Sequence, residues 1–293
     1  YWGPWRSLMT GHSSNSDVRF KSSSGGVITG LAIFALETGL VDRVVQVCAD
    51  PVRATRNIVT VSRTREEIIS AAGSRYAASS PLENIGLILG EGGRAAFVGK
   101  PCDCSALRQY GLHDPRVAKH IPLILSFFCA GVPSEKGAAK IVESMGIPPD
   151  DTLIEFRYRG HGWPGRARAV TRSGRTGEMS YEASWGGFLS KQVQFRCKIC
   201  PDAVGGVADI ACADAWYGGE TGYPMFEEVE GRSLIFSRTE GGDKLLHAAI
   251  AAKALIAAQL GADAVELMQP SQARRKRLIL SRVAAARATL QST

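Results

Sequence analysis

No stretch of the sequence stays apolar for long enough to cross a bilayer. The longest, residues 27–36, ends at Glu37, well short of the ~20 residues a spanning helix needs. No basic start with an apolar middle marks a secretory signal. These absences set the expectation of a cytoplasmic protein without a membrane span. Cysteine is sparse and odd in number, with seven in 293 residues, which excludes a disulfide-dense mini-protein. In a chain of this kind, thiols point to packing, metal or redox chemistry. The 32 Gly and 13 Pro are too few for collagen but enough for many tight loops. There is no solenoid-period repeat and no nucleic-acid recognition motif beside the charge. That charge, 35 Lys+Arg against 28 Asp+Glu or +7, is mild. It suits an anionic cofactor or an acidic partner, and nucleic acid is not expected.

With 45% apolar and 22% charged residues, what remains is a globular chain, long enough for one large or two modest domains. Residues 2–17 read as polar and irregular. The segment Ser22-Ser23-Ser24-Gly25-Gly26 leads into an apolar-periodic helix over 27–40. Strands follow at 44–48 and 58–61, then a helix over 64–71 capped by Thr64 and another over 82–89. The buried strand 95–98 ends in Gly99-Lys100-Pro101-Cys102, and 105–110 starts a helix. The apolar strand 121–128 ends at Cys129, and Ser134 caps a helix over 134–145. Strands alternating with helices mean βαβ units. The expected fold is therefore α/β, a mainly parallel mixed sheet with flanking helices and a loop-rich segment. After Pro149 the texture changes. Residues 154–158 and 167–171 form a hairpin across a glycine-rich loop, 197–212 is loop-rich, 234–237 is a strand, 244–260 a long Ala-rich helix, and 274–290 a basic helix.

Cys102 and Cys129 each follow an apolar strand directly, which places both at the carboxyl edge, where ligands bind in open α/β sheets. Cys197-Lys198-Ile199-Cys200 adds a CxxC pair on a loop. Four thiolates of this kind suit a [4Fe-4S] cluster or a structural zinc. Taken singly, a cysteine after an apolar strand is more often a small buried hydrophobe. Cys104, within Cys102-Asp103-Cys104, competes as a ligand but lies a step into the helix. Cys48 and Cys212 read as packing residues.

Taken in order, Ser24-Gly25-Gly26-Val27, Gly99-Lys100-Pro101-Cys102, Phe128-Cys129, Cys197-x-x-Cys200 with Asp202, and Ala208-Asp209-Ile210 resemble the coenzyme F420 hydrogenase/dehydrogenase beta-subunit family. The family includes reductases of hydroxymethyl chlorophyll and of the vinyl groups of chlorophyll precursors. The likeness runs from about residue 2 to 216, and more loosely to 267. No ferredoxin-like CxxCxxC segment is present, Lys100 precedes the Pro-Cys pair, and Ala213-Asp214 stands where the family offers Gly-Asp. The resemblance implies an FAD- and [4Fe-4S]-dependent oxidoreductase with Cys102, Cys129, Cys197 and Cys200 as cluster ligands. It implies an electron-transfer subunit of a dehydrogenase- or hydrogenase-type complex, with a ferredoxin or larger dehydrogenase subunit as redox partner and a small-molecule hydride donor or acceptor. The alternatives are a stand-alone ferredoxin-dependent reductase of a small organic substrate and, from another class, a zinc-stapled binding protein. A homo-oligomer is compatible with each. The expected division is an α/β flavin-binding core over 1–150, hairpin and cluster-binding loops with a C-terminal α/β part over 151–270, and a basic helical tail over 271–293.

Three segments are candidates for the flavin. Ser23, Ser24, Gly25 and Gly26 open a helix whose free N–H groups and dipole favour a phosphate, and the paired glycines suggest that a ligand reaches the backbone there. The plain alternative is a capped helix. Arg75, Tyr76 and Ser79 offer a cation, an aromatic ring and a hydroxyl, where an ordinary surface loop is equally consistent. Arg157 and Arg159 suit phosphates, and Trp163 suits a ring face. His161 is a weak proton-donor candidate, since a single His is more often structural, and no catalytic residue is assigned. Asp209 and Asp214 either orient the CxxC loop or cap. The tail cations Arg274, Arg275, Lys276, Arg277, Arg282 and Arg287 read as a solvated helix face or, more sharply, as a docking face for an acidic electron donor.

Overall fold

The computed structural model describes residues 2–218 and 225–291. Its strands are β1 (Ser7–Ser13), β2 (Arg43–Ala49), β3 (Asn57–Ser62), β4 (Ala95–Gly99), β5 (Leu123–Phe127), β6 (Leu153–Arg157), β7 (Arg166–Thr171), β8 (Thr176–Ser180), β9 (Ile210–Asp214), β10 (Ser233–Ser237) and β11 (Leu255–Gln259). Its helices are α1 (Ser16–Lys21), α2 (Val27–Glu37), α3 (Arg65–Ser70), α4 (Ile85–Gly90), α5 (Pro101–Gly111), α6 (Arg116–His120), α7 (Glu135–Ser144), α8 (Phe195–Lys198), α9 (Glu240–Ala251), α10 (Ala262–Met268), α11 (Pro270–Arg277) and α12 (Ile279–Gln291).

Eight strands form one mixed sheet in the order β11-β1-β10-β9-β5-β4-β2-β3. Its centre, β9-β5-β4-β2, is parallel, and antiparallel pairings add the strands on either side. The central strands have the composition that position demands: Ala95, Ala96, Phe97, Ile124 and Leu125 are fully buried, because helices cover both faces. On one face, α2, α3 and α9 bring Leu31, Ile68 and Leu246 against Val44, Leu125 and Ile235. On the other, α4, α5 and α6 bring Ile88, Leu107 and Val117 against Phe97 and Ile124. Each such side chain contributes roughly 1.5–3 kcal/mol by leaving water. A second sheet, β6-β7-β8, packs with α7 around Phe156, Tyr158 and Ile141. The chain leaves the large sheet near residue 150 and returns at β9, so residues after 150 supply three of its eight strands.

Several expectations need correction. Residues 7–13 are not irregular: β1 lies between β11 and β10. Its Ser, Thr, Gly and His residues hide a strand because neighbours on both sides, and not its own apolar pattern, bury it. The helix expected over 244–260 ends at Ala251, turns through Lys253 at φ +59°, and continues as β11. An alanine run carries no period that separates helix from strand. Part of the loop-rich 197–212 segment is β9, and β8 extends the hairpin to three strands. The helix after β4 begins at Pro101, which suits a first helical position, and so includes both Cys102 and Cys104. Thr64 caps α3 with a reciprocal Glu67 contact, whereas Ser134, though at the N-cap of α7, makes no capping bond. Among the described residues no helix is long and apolar enough to cross a membrane.

Asp209 ties this architecture together. Its Oδ2 accepts from the buried Ile124 N–H at 2.7 Å, and its Oδ1 accepts from Thr239 Oγ1 at 2.7 Å and Arg108 Nη2 at 3.0 Å. One carboxylate thus joins β5, α5 and Thr239 at the cap of α9. Asp209→Ala strands a buried N–H and is expected to destabilise the fold by about 3 kcal/mol. Urea unfolding followed by circular dichroism checks this, and a change under ~0.5 kcal/mol, the size of a neutral surface substitution, would refute it.

Candidate functional site

The carboxyl ends of β4, β5 and β9 lead directly into Lys100–Cys102, Phe128–Cys129 and Ala215–Tyr217. That edge gathers most of the sequence candidates. Cys102 sits in the first turn of α5, Cys129 just past β5, Cys197 in α8 and Cys200 in the loop after it. All four are half-buried free thiols. Burial pushes Cys102 up, with Cys200 among the charges it senses; burial likewise pushes Cys129 up to about 11, with Cys102 and Cys197 among its neighbours. Cys197 Sγ also accepts from Val132 N–H at 3.4 Å. Three separate elements therefore bring the four thiols into one another's neighbourhood. Among the described residues, no group of three or more His, Cys, Asp or Glu side chains is arranged to hold a metal ion.

The other three cysteines lie elsewhere. Cys104 is fully buried, its thiol facing Gly99 O at 3.5 Å and Leu125 O at 3.8 Å. A helix turns about 100° per residue, so the two thiols of the CxC point differently: Cys104 into the core, Cys102 toward the edge. Cys212 is buried within β9, and Cys48 sits in β2 near Arg75.

The flavin candidates meet one another. Ser23 Oγ accepts from Ser74 N–H at 2.5 Å, joining the 22–26 turn to the 72–80 loop. A Cβ on Gly160 would fall 2.8 Å from Lys21 O, so the glycine-rich loop closes on the same turn. Many of the polar groups are nevertheless engaged within the protein. Arg75 donates to Phe156 O, Ala54 O, Arg56 O and Asn57 Oδ1 at 2.7–2.9 Å, and so fastens its loop instead of facing a ligand. Ser79 Oγ accepts from Lys100 Nζ at 2.6 Å, and Lys100 also pairs with Asp103 at 2.7 Å. Tyr76 lies 4.9 Å from Trp185, centroid to centroid, and edge-on to Tyr158.

Arg159 is almost wholly buried. Its Nη1 and Nη2 each donate to Asp214 at 2.8 Å, Nε donates to Pro164 O, and the guanidinium lies 4.4 Å from the centre of Tyr181 and 5.0 Å from that of Trp216. Although burial works against its charge, Asp214 holds the guanidinium protonated. Trp163 donates through Nε1 to the same carboxylate at 2.7 Å and stacks on Trp216 at 4.8 Å. Asp214 thus organises the site's wall. Arg157 differs: its Nη1 lies 3.5 Å from Glu155 Oε1, and its buried Nε has no partner among the described residues. His161, at φ +58°, borders a depression of about 510 Å³ with Lys21, Arg65 and Glu66, away from the thiols; burial first, then Arg157, lowers its pKa. Sequence reasoning missed Asp214's bidentate role and the aromatic wall of Tyr181, Trp185 and Trp216. The pairing of two Arg with Tyr158 and Trp163 within residues 157–163 was the available signal.

The glycine turn needs the plainest correction. A Cβ on Gly25 would fall 2.5 Å from Gly11 O and 2.7 Å from Ser233 N. Its N–H donates to Ser233 Oγ and its O accepts from Ser13 N–H. Gly25 therefore packs on β1 and β10 and is not open to a ligand. Ser24 Oγ is likewise spent on Arg232 O. Gly26 occupies the left-handed region at φ +74°, and the N-terminus of α2 has no side-chain cap.

Nor is the basic tail a freely solvated face: Arg275, Lys276 and Arg282 donate to backbone carbonyls of the cysteine loops.

The family described as Coenzyme F420 hydrogenase/dehydrogenase, beta subunit matches in two parts, its N-term at residues 8–85 and its C terminus at residues 92–262. The coenzyme F420 hydrogenase subunit beta of Methanococcus voltae is 27% identical over 259 residues, covering 86% of this chain and 84% of that protein. That of Methanosarcina barkeri is 24% identical over 257 residues, covering 86% and 81%. The chloroplastic 7-hydroxymethyl chlorophyll a reductase of Oryza sativa is 26% identical over 229 residues, 75% of this chain and 45% of that protein. A chain of the F420-reducing [NiFe] hydrogenase complex from Methanosarcina barkeri shares the fold, with a TM-score of 0.71 at 22% identity, covering 95% of this chain and 92% of that one.

Gly25→Val is expected to prevent stable folding, because its new atoms meet backbone on two strands. Thermal melting checks it: a variant that melts within a few degrees of the parent would show the turn to be open after all.

Proposed function

The chain belongs to the coenzyme F420 hydrogenase/dehydrogenase beta-subunit family, and from that premise we propose that it is an iron–sulfur flavoprotein oxidoreductase. In this reading it passes electrons between FAD and a [4Fe-4S] cluster as the electron-transfer subunit of a hydrogenase- or dehydrogenase-type complex. The observation that carries the proposal is the set of four free thiols delivered to one edge by α5, the end of β5 and the α8 loop. The donor type fits, since four thiolates are the ligand set of a cubane cluster, although the four thiols are not drawn together at metal-binding distance in this structure. When bound, FAD supplies hydride exchange and the cluster supplies single-electron transfer.

Cys102, Cys129, Cys197 and Cys200 hold the cluster. The flavin would be held along the wall made by the Ser23–Gly26, Arg75–Ser79 and Arg157–Trp163 segments, without contact to Ser24 or Gly25, which are bonded and packed within the protein. The uncapped N-terminus of α2 and the unpartnered Nε of Arg157 are the groups available to phosphate oxygens. Arg75, Arg159 and Asp214 shape the wall behind them. The proposed binding roles cross the boundary at residue 150: Cys102 and Cys129 of the cluster set lie before it, and Arg157–Trp163 of the flavin set lies after it. The relationship to a chlorophyll-derivative reductase favours a second reading, a stand-alone reductase. Isolation of the native assembly separates the two: a stably bound larger subunit supports the first.

Anaerobically prepared protein is expected to contain about four iron per chain. Serine at position 102, 129, 197 or 200 should deplete it, whereas Cys104→Ser, Cys48→Ser and Cys212→Ser should retain it. Stoichiometric zinc without iron would overturn the cluster assignment. For the flavin, Arg157→Met should weaken FAD binding about tenfold, the equivalent of ~1.4 kcal/mol. Titration of the flavin-free protein measures it, and unchanged affinity removes Arg157 from the site.

A further inference from the structure

The helices that close the chain lie on the thiol loops. Arg275, in α11, places two N–H groups on two different segments: Nη1 donates to Cys129 O at 2.8 Å, and Nη2 donates to Cys197 O. The next residue, Lys276, donates through Nζ to Pro201 O at 2.8 Å and Asp202 O at 3.2 Å. In α12, Arg282 Nη1 donates to Lys198 O at 3.2 Å. All five acceptors are backbone carbonyls, and all belong to Cys129 or to the 197–202 loop. Arg274 and Arg287 of the same helices remain exposed. The family match ends at residue 262, so these contacts come from outside the matched region.

The acceptors are uncharged carbonyls, so these hydrogen bonds leave the net positive charge of the three side chains unneutralised. Their surroundings include the four thiols, which bring negative charge when they ionise to bind a metal. Geometry adds a second effect. The guanidinium is a rigid planar fork with donors at fixed separation, so two carbonyls bonded to its two ends are held at a fixed distance. The segments it spans meet also through Cys129 N–H to Ala203 O at 2.9 Å, Gln194 N–H to Val132 O at 3.0 Å and Val132 N–H to Cys197 Sγ. The first ties Cys129 to the end of the loop at Ala203, and the other two lie on the far side of Gly131, which stands at φ +115° between Cys129 and Val132, so the direct link from Cys129 to Cys197 itself runs through Arg275.

We propose that Arg275 is a positioning residue for the thiol site: it fixes the spacing of the Cys129 and Cys197 segments, while Lys276 and Arg282 hold residues 198–202 against the same helices. The proposal rests on the reading of these thiols as cluster ligands. It makes the basic tail a clamp on the site and not a docking face.

The test compares full-length parent protein with Arg275→Met, Arg275→Lys and, as control, Arg287→Met. Hydrogen exchange by mass spectrometry is read on iron-free protein for peptides spanning 128–132 and 194–203, with the central strand β4 as internal reference. Loss of iron to a chelator is read on anaerobically prepared protein. In Arg275→Met both cysteine segments should exchange at least tenfold faster, β4 should be unchanged, and iron should leave at least tenfold faster. Arg275→Lys, with charge but no fork, should fall between, and Arg287→Met should match the parent. Parental exchange in both segments, or parental iron retention, in Arg275→Met overturns the clamp. Should Arg275→Met fail to fold, parental exchange in Arg275→Lys overturns it. If the parent itself binds no iron, the ligand reading fails, and the exchange arm still decides the clamp.

Discussion

A buried guanidinium must find charge and hydrogen bonds within the protein, and in this fold Arg159 finds both at Asp214. Taking either ion out of water costs several kcal/mol, which is recovered only with good geometry and satisfied donors. The geometry here is of that kind: two parallel N–H···O contacts of 2.8 Å, a third donor on Pro164 O, and aromatic rings on the cation. Asp214 ends β9 of the large sheet, and Arg159 follows β6 of the small one. The pair therefore fixes where one sheet sits on the other. Removing one partner would leave the other charged and buried, so the pair acts as a constraint on register more than as a source of net stability.

The other candidate segments depend on that constraint. The loop carrying Arg159 closes on Lys21 O through Gly160 and lies beside Gly73, and Ser74 bonds Ser23. The three stretches proposed for the flavin are thus one connected wall whose placement follows from Asp214. Arg75 extends the wall by bonding the β6 carbonyl of Phe156. Most cations in this region hold the protein together; Arg157 does so only through a 3.5 Å contact of Nη1 with Glu155, and its buried Nε has no partner among the described residues. The same division recurs at the thiol edge, where three cations of the tail bind loop carbonyls and the cysteines themselves stay free.

The parallel centre of the sheet was legible in the sequence because strands buried on both faces are continuous apolar runs, as in Ala95–Gly99 and Leu123–Phe127. The placement of Cys102 and Cys129 at the carboxyl edge followed from those runs alone. Cys104 is fully buried, whereas Cys102 is half-buried. Strands β1 and β11 were illegible, since Ser7–Ser13 and Leu255–Gln259 carry small or ambiguous residues and owe their state to each other. Gly25 was misread for a related reason: a glycine pair before a helix looks like room for a ligand, and only the strands packed against it show the room to be filled.

Local pattern by itself determined the α/β class, the central strands and the cap at Thr64, because period and capping chemistry act over a few residues. Which polar groups face one another was decided by tertiary structure alone. Arg159 meets Asp214 across 55 residues, Arg275 meets Cys129 across 146, and Gly25 meets Ser233 across 208. A guanidinium reads the same in sequence whether it awaits a phosphate or binds a carbonyl. The difference lies in what the folded chain brings to it, and contacts at such separations leave no trace in local pattern.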